Sequence, residues 1–430
     1  MSDALDQGVE LTRLANGIRV ITHRMDHLKS ATAGVWFASG SRHETGQTHG
    51  ISHLLEHMAF KATQNRTARQ MAEEIEAVGG EINASTSPES TAYVARVLEA
   101  DTGLALELLA DMLCNPKFDP EELERERGVI LQEIAGVADQ PEDLVFEAAE
   151  EAAFTGQPLG RPILGTRQSV QRLKPRQLRE HMASQYTSGQ MVICAVGAIR
   201  HDAIVRHCEA LFGRFNAAES PAFAPAHFVG GVRVLDRPFE QHHVLLAFEG
   251  PSYLDPGYYP ALVLSGVLGG GTSSRLFQKI REDHGLCYAI ESFGWGYNDS
   301  GLFGVHAATG SDQVSELMAK VAQECADLAT HGPSAAELAR NRAQIRAGLL
   351  MSLESTGARA EQLARQVLAY GAPLSAARLE ANLAGVDESA VRDSAARIFA
   401  AKPFVWSEVG PGASARHVEP TLGQLTGVRN

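Results

Sequence analysis

The stretch GIRVI at residues 17–21 recurs as GVRVL at residues 231–235, about half a chain length later. Two further pairs of segments match in the same order and at similar offsets: VWFA (35–38) with LLAF (245–248), and GEINA (80–84) with GLCYA (285–289). A fixed order of matches at a similar spacing indicates an internal duplication. The sequence therefore predicts two copies of one domain.

The segment NAAESPAFAPAH, residues 216–227, separates the two copies. It is rich in Pro and Ala and shows no hydrophobic periodicity, which is typical of a linker. We therefore predict an N-terminal domain over residues 1–216, a linker over 217–227 and a homologous C-terminal domain over 228–430.

Strands and helices are mixed within the first copy. Hydrophobic patterns predict strands over 18–22, 32–38, 81–86 and 91–98, helices over 49–59 and 68–78, and a long helix from residue 119 onward. Thr67 with Gln70 three residues later has the pattern of a capping box, and Asp119 followed by Pro120 that of a helix start. Strands joined by short turns with helices beside them favour an α+β fold, in which each copy is a mostly antiparallel sheet packed with helices.

The charge balance of the 430-residue chain is acidic: 52 Asp and Glu against 38 Lys and Arg give a net charge of −14. Such a chain is poorly suited to bind nucleic acid or an anionic membrane. The surplus of acid either attracts cationic peptides or serves only solubility, and composition alone leaves both interpretations open.

Cysteine usage and the N-terminal sequence bear on the compartment. The five Cys are scattered and include no C-x-x-C pair, which argues against a disulfide framework or a Cys-based zinc site. The N-terminus lacks the basic and apolar regions of a signal peptide, and no apolar run approaches the roughly 20 residues of a membrane helix. We expect a cytoplasmic protein without membrane insertion.

The pentapeptide HLLEH, residues 53–57, is the strongest chemical motif in the chain. On a helix, His53 and His57 share a face and can bind one metal ion, with Glu56 beside them to accept a proton from water. An apolar stripe at helical spacing supports the helix and comprises Ile51, Leu54, Leu55 and Met58. The alternative from the pentapeptide alone is a pair of surface histidines with a carboxylate neighbour.

The helix that starts at Pro120 offers a third ligand. Glu126 and Glu133 lie seven residues apart on the same stripe as Ile130 and Val137. A carboxylate that points inward from an apolar stripe requires a partner or a cation, and two His with one Glu would leave a zinc position open for water. Because this helix is rich in Glu, a solvated acidic face is equally consistent with the pattern.

THGISHLLEHMAFKAT (48–63) and RERGVILQEI (125–134) together resemble the pitrilysin-type, or inverted zincin, metallopeptidases of family M16. The resemblance is strongest to the β subunit of mitochondrial processing peptidase and to half-length bacterial homologues. It implies one Zn²⁺ per chain, held by His53, His57 and Glu133, with Glu56 as catalytic base. Glu126 would lie behind the zinc ligands and support them.

The second half carries a further family motif. GGGTSSRL (269–276) precedes Arg281 and Tyr288, which match an Arg and a Tyr that grip substrate in the half without the metal. A phosphate-binding loop is excluded because no Lys-Ser/Thr follows the glycines.

The resemblance also implies contacts to a peptide substrate. Asn83 and Ala84 match the strand edge to which the peptide adds as an extra strand, and Phe60 matches a position beside the residue after the cut. Asp143 and Glu147 match two acids that hold an Arg before the cut, although a solvated helix face explains them equally well.

The resulting hypothesis is a zinc endopeptidase that cleaves peptides or presequence-like unfolded segments. The two copies would face each other around a closed chamber, basic substrates would be favoured, and a homodimer would suffice because one chain carries both motifs. Two alternatives remain: a non-catalytic core subunit, as in the relatives of the respiratory bc1 complex that have lost the metal motif, and the active member of an obligate heterodimer.

Overall fold

The computed structural model describes residues 6–215, 217, 223–400 and 402–425. The chain forms two compact units, each assembled from three segments. The first unit comprises Met1–Ile134, Pro162–Ala224 and Gly348–Leu379, and the second comprises Ala135–Arg161, Pro225–Ala347 and Glu380–Asn430. These units differ from the continuous domains 1–216 and 228–430 expected from the sequence. Residues 218–222 of the expected linker lie outside the described residues.

Strands and helices follow one another along the described chain. The strands are β1 (Val9–Arg13), β2 (Arg19–Arg24), β3 (Ser30–Phe37), β4 (Glu81–Thr86), β5 (Thr91–Leu98), β6 (Met191–Gly197), β7 (Gly231–Asp236), β8 (His242–Glu249), β9 (Ala289–Gly296), β10 (Gly301–Thr309) and β11 (Phe404–Gly410). The helices are α1 (Ile51–Ala59), α2 (Ala68–Ala77), α3 (Thr102–Cys114), α4 (Pro120–Ala138), α5 (Pro141–Ala153), α6 (Arg167–Arg172), α7 (Pro175–Gln185), α8 (His201–Phe212), α9 (Tyr258–Gly269), α10 (Val314–His331), α11 (Ala335–Ser352), α12 (Thr356–Tyr370), α13 (Ala376–Ala384), α14 (Glu388–Ala400) and α15 (Val418–Gln424). A π-helical segment spans Phe277–Glu282.

Each unit contains one mixed sheet. Among the described residues, the first sheet has the strand order β1-β2-β6-β3-β5-β4 and the second β7-β11-β8-β10-β9. Apart from β1 the two orders correspond strand for strand, and in each sheet one pair is parallel, β2 with β6 and β7 with β11, while the other pairs are antiparallel. The duplicated α+β fold with mostly antiparallel sheets is thus confirmed.

One of the three sequence matches is displaced in the structure. By position in the sheet, the counterpart of β4 is β9, which begins at Ala289. GLCYA (285–289) therefore ends where the strand begins instead of forming it. The match to GEINA (80–84) was wrong in register, because one shared glycine and a few apolar residues do not specify where a strand starts.

The central strands β3 and β6 of the first sheet are buried on both faces. Val35 and Phe37 of β3 pack on one side with the apolar face of α1, and the intervening Trp36 packs on the other side. The residues that cover that second side come from α12: Ala360, Leu363, Ala364 and Val367. A helix from the last third of the sequence therefore completes the unit that contains the H-x-x-E-H helix.

The second sheet is covered in the reciprocal way. Leu245 and Ala247 of β8 pack against Val145 and Ala149 of α5, a helix from the first half of the sequence. The two halves thus contribute one helix each to the sheet of the other, which is why the compact units do not coincide with continuous halves of the chain.

The buried Arg359 of α12 ties the N-terminal segment to this helix. Its guanidinium donates to Asp6 Oδ1 at 3.0 Å and to His23 Nδ1 at 3.1 Å, and only 1% of the residue is exposed. Burial and the nearby Arg359 charge lower the pKa of His23 to about 4, so that its imidazole is neutral and accepts the hydrogen bond. Asp6 thus supplies the negative charge that Arg359 requires.

Replacing Asp6 by Ala leaves a buried arginine without its carboxylate, so we expect the free energy of unfolding to fall by about 3 kcal/mol. Urea denaturation measures the change. The control is Asp26→Ala, which removes an ion pair with Arg24. Because the two side chains are 68% and 55% exposed, the urea midpoint should stay at its wild-type value. Equal midpoints for the two variants would contradict the structural role of Asp6.

In the described part of the chain, every helix is either too short or too polar to cross a bilayer.

Candidate metal centre

Helix α1 carries the H-x-x-E-H motif, and its start is tightly held. Gly50 precedes the helix at φ 87°, and a Cβ there would lie 2.9 Å from the Leu164 carbonyl oxygen, so glycine is required. The Glu44 carboxylate accepts hydrogen bonds from the backbone N–H groups of Gly50 (2.7 Å) and Ser52 (2.8 Å). These bonds satisfy donors that the first turn of a helix leaves free and favour a negative charge there.

The predicted apolar stripe of α1 is buried in the core of the first unit. With Ile51, Leu54, Leu55 and Met58 turned inward, the three polar side chains of the motif project from the other side of the helix. His53, Glu56 and His57 are each half-buried.

Glu133 of α4 meets both histidines of α1. Its Oε2 atom lies 3.7 Å from His53 Nε2 and 3.6 Å from His57 Nε2, and one ligand atom from each of the three residues falls within 4.8 Å of the others. These separations exceed those of good hydrogen bonds. They are close to the roughly 3.4 Å between two ligands of one tetrahedral zinc ion with bonds near 2.1 Å.

An orphaned polar atom supports this interpretation. Glu133 Oε2 is buried and has no hydrogen-bond partner among the described residues. Burial and the neighbouring His57 lower the pKa of His53 to about 4, which keeps its imidazole neutral at pH 7, as metal coordination requires. The donor set of two imidazoles and one carboxylate therefore fits a divalent zinc ion.

Glu126 lies behind His57 and does not belong to the ligand cluster. His57 Nδ1–H donates to Glu126 Oε2 at 3.0 Å, and Lys61 Nζ lies 2.6 Å from Glu126 Oε1. The hydrogen bond assigns the proton of His57 to Nδ1, so the Nε2 lone pair points toward Glu133. The role of Glu126 as a support for the zinc ligands stays a prediction.

Glu56 is held by the edge strand β4. The Thr86 hydroxyl donates to Glu56 Oε2 at 2.5 Å. Burial raises the pKa of Glu56, the Thr86 hydrogen bond and the field of His57 act against that rise, and the Glu133 charge adds to it. His57 and Glu133 thus shift the pKa of Glu56 in opposite directions.

The expected peptide-binding positions of the first unit lie at the end of α1 and on β4. Phe60 ends α1 and packs against the core. Asn83 and Ala84 lie on β4, which occupies one end of the strand order and pairs only with β5 among the described residues. One edge of β4 is therefore available for a further strand.

The expected substrate residues of the second unit form two local pairs. The Arg281 guanidinium carbon lies 5.5 Å from the Tyr288 ring centroid, and 76% of Tyr288 is exposed. Asp143 and Glu147 lie one turn apart on α5. Burial, followed by the Asp143 charge, raises the pKa of Glu147 to about 6.

Sequence reasoning missed three residues of the metal centre: Glu44, Lys61 and Thr86. Lys61 follows His57 by four residues and lies just past the end of α1, and this spacing could have suggested a contact with the same partner. Glu44 and Thr86 lie in segments without helical periodicity, and no local pattern connects them to α1.

A zinc-ligand set divided between an H-x-x-E-H helix and a distal glutamate defines the inverted zincin class. A family profile described as Insulinase (Peptidase family M16) matches residues 19–167, and one described as Peptidase M16 inactive domain matches residues 172–345. The chain belongs to peptidase family M16.

Three similar proteins illustrate the family. A protein of Rickettsia bellii named as an uncharacterized zinc protease is 35% identical over 92% of this chain and 96% of its own length. A probable mitochondrial-processing peptidase β subunit of Arabidopsis thaliana is 37% identical over 93% of this chain and 78% of its own. The crystal structure of a protease from Helicobacter pylori has the same fold, with a TM-score of 0.87, 20% identity, and coverage of 94% of this chain and 99% of that one.

Proposed function

We propose that this chain is a zinc endopeptidase with one catalytic Zn²⁺, held by His53, His57 and Glu133. The observation that carries the proposal is the position of the buried, unpartnered Glu133 Oε2 atom, 3.6 to 3.7 Å from two imidazole nitrogens. A zinc ion bound by such a set supplies Lewis acidity that polarises a scissile carbonyl and acidifies water.

Glu56 acts as the general base. Thr86 occupies its Oε2 atom, and Oε1 makes no hydrogen bond among the described residues, so Oε1 can accept the proton of the attacking water. The same carboxyl then passes that proton to the leaving amine of the cleaved peptide bond. Thr86 keeps the carboxylate oriented during both transfers.

The substrate is a peptide or an unfolded, presequence-like segment in a closed chamber. It adds to the free edge of β4 beside Asn83 and Ala84, where backbone hydrogen bonds tolerate many side chains. Phe60 packs against the residue after the cut. Arg281 and Tyr288 orient the peptide and stabilise the developing oxyanion.

Basic peptides are the preferred substrates. Asp143 and Glu147, one turn apart on α5, provide two carboxylates for one guanidinium, and the net charge of −14 attracts cations. In the double variant Asp143→Asn, Glu147→Gln we expect kcat/KM for an Arg-containing peptide to fall about tenfold, which corresponds to about 1.4 kcal/mol.

The substrate control is a matched peptide with Leu in place of Arg, for which kcat/KM of the double variant should change by no more than about twofold. The protein control is Glu151→Gln, an exposed position on the same helix, for which kcat/KM on the Arg-containing peptide should also change by no more than about twofold. An equal loss on both peptides would show that the two acids support the fold and do not select the substrate.

A homodimer is the proposed assembly, because one chain carries both the metal motif and the Arg281–Tyr288 pair. Light scattering during gel filtration should give twice the mass of the 46.2 kDa chain, and the fraction should cleave peptides. Activity that arises only after addition of a second, different chain would support the heterodimer alternative.

The proposed function is tested on the purified full chain with an unstructured peptide. We expect bound zinc by elemental mass spectrometry, loss of cleavage with a zinc chelator, and recovery when zinc is added back. A folded chain that binds no zinc, or binds zinc and cleaves nothing, would favour the non-catalytic core subunit.

A further inference from the structure

A second set of metal-binding side chains lies within the second unit. One ligand atom each from Glu142, Glu291 and His306 falls within 4.8 Å of the others. Glu142 is in the first turn of α5, Glu291 on β9 and His306 on β10. The three residues are far apart in the sequence and converge through the packing of α5 on the sheet.

The fold explains this convergence. Glu291 and His306 are directly opposite each other in the β9–β10 ladder, so their side chains leave the same face of the sheet. Phe146 of α5 packs on that face, with its ring centroid 5.1 Å from that of His306. Glu142 precedes Phe146 by four residues and therefore projects from the same side of the helix.

The histidine of this set is almost fully buried. Only 2% of His306 is exposed, and its Nε2 atom lies 3.1 Å from His243 Nδ1. His306 Nδ1 lies 3.5 Å from Glu291 Oε1, longer than a good hydrogen bond. In the tautomer in which His306 Nε2–H donates to His243 Nδ1, the lone pair of His306 Nδ1 faces this carboxylate. A cation bound by His306 Nδ1 and the two carboxylates would remove the repulsion that this tautomer otherwise has.

The same pattern occurs at the first metal centre. There, one nitrogen of His57 bonds to Glu126 at 3.0 Å and the other lies 3.6 Å from the Glu133 carboxylate. In both places a neighbouring acceptor orients the imidazole, and its second nitrogen faces a carboxylate at a separation typical of two ligands on one ion.

We propose that Glu142, Glu291 and His306 form a second metal site, with His243 as the residue that orients the His306 ring. Two carboxylates and one imidazole suit a divalent first-row transition ion, such as Zn²⁺ or Mn²⁺. The Glu291 side chain is 54% exposed, so the ion binds from solvent. The bound ion would link the first turn of α5 to β9 and β10.

Zinc counting on the full chain tests this site. The protein is stripped with a chelator, dialysed to equilibrium against buffered Zn²⁺, and its bound zinc measured by elemental mass spectrometry. We expect two zinc ions per wild-type chain, and one after either Glu142→Gln or Glu291→Gln. Both residues are exposed, so the isosteric changes should leave the fold intact, and Glu151→Gln on the same helix should still bind two.

A further variant separates this site from the proposed catalytic one. Glu133→Gln should also bind one zinc ion, and Glu133→Gln combined with Glu291→Gln should bind none. If Glu142→Gln and Glu291→Gln bind as much zinc as the wild type, the second site does not exist. If Glu291→Gln loses zinc but Glu133→Gln does not, the catalytic proposal fails while the second site stands.

Discussion

Replacing Glu56 by Gln should lower kcat for peptide cleavage by about a thousandfold or more and leave the zinc content unchanged. The amide keeps the size of the carboxylate and can still interact with Thr86, but it cannot take a proton from water. Because Glu56 is not among the residues that converge on the metal position, zinc affinity should stay at its wild-type value. Steady-state kinetics and elemental mass spectrometry on the same sample measure both quantities.

Glu73→Gln is the matched control for Glu56→Gln. Glu73 lies on α2, its side chain is 58% exposed, and its only described ion pair is with Arg69. Its replacement should change neither rate nor zinc content. A Glu56→Gln chain that cleaves at the wild-type rate would mean that another group accepts the proton. Parallel loss of zinc and activity would mean that Glu56 is a ligand.

The second large effect is expected for the distal ligand. Replacing Glu133 by Gln exchanges an anionic ligand for a weak neutral one, and we expect zinc affinity at this site to fall at least about 100-fold, with cleavage lost at limiting zinc. Competition with a zinc-binding dye measures affinity. Excess zinc should restore part of the cleavage, because Glu56 and both histidines remain.

Glu121→Gln provides the control on the same helix. Its side chain is 85% exposed and it pairs with Arg125, so zinc affinity and cleavage should not change. The zinc-free stability of Glu133→Gln should also stay near the wild-type value, because Glu133 Oε2 has no hydrogen bond to lose. Zinc affinity equal to the wild type in Glu133→Gln would remove this residue from the ligand set.

Local structure was predictable from the chain because its causes lie within a few residues. The capping box of Thr67 and Gln70 forms as its spacing indicated, and Asp119 accepts from the N–H groups of Glu121 and Glu122 at the start of α4. The duplication also followed from two of the three repeated segments. Capping and hydrophobic periodicity depend on neighbours along the chain, so a sequence reports them directly.

The H-x-x-E-H helix, its buried stripe and the candidate ligands are local patterns, so the order of residues is enough to predict them. Three further features arise only when the chain folds. Glu133 meets the histidines, Glu44 and Thr86 hold α1 and Glu56, and α5 and α12 cover the sheets of opposite halves. An amphipathic pattern states that a helix has a face to bury but does not name its partner. The partner is set by the shape and burial of surfaces that lie hundreds of residues apart in the chain, and no local spacing of residues encodes such a contact.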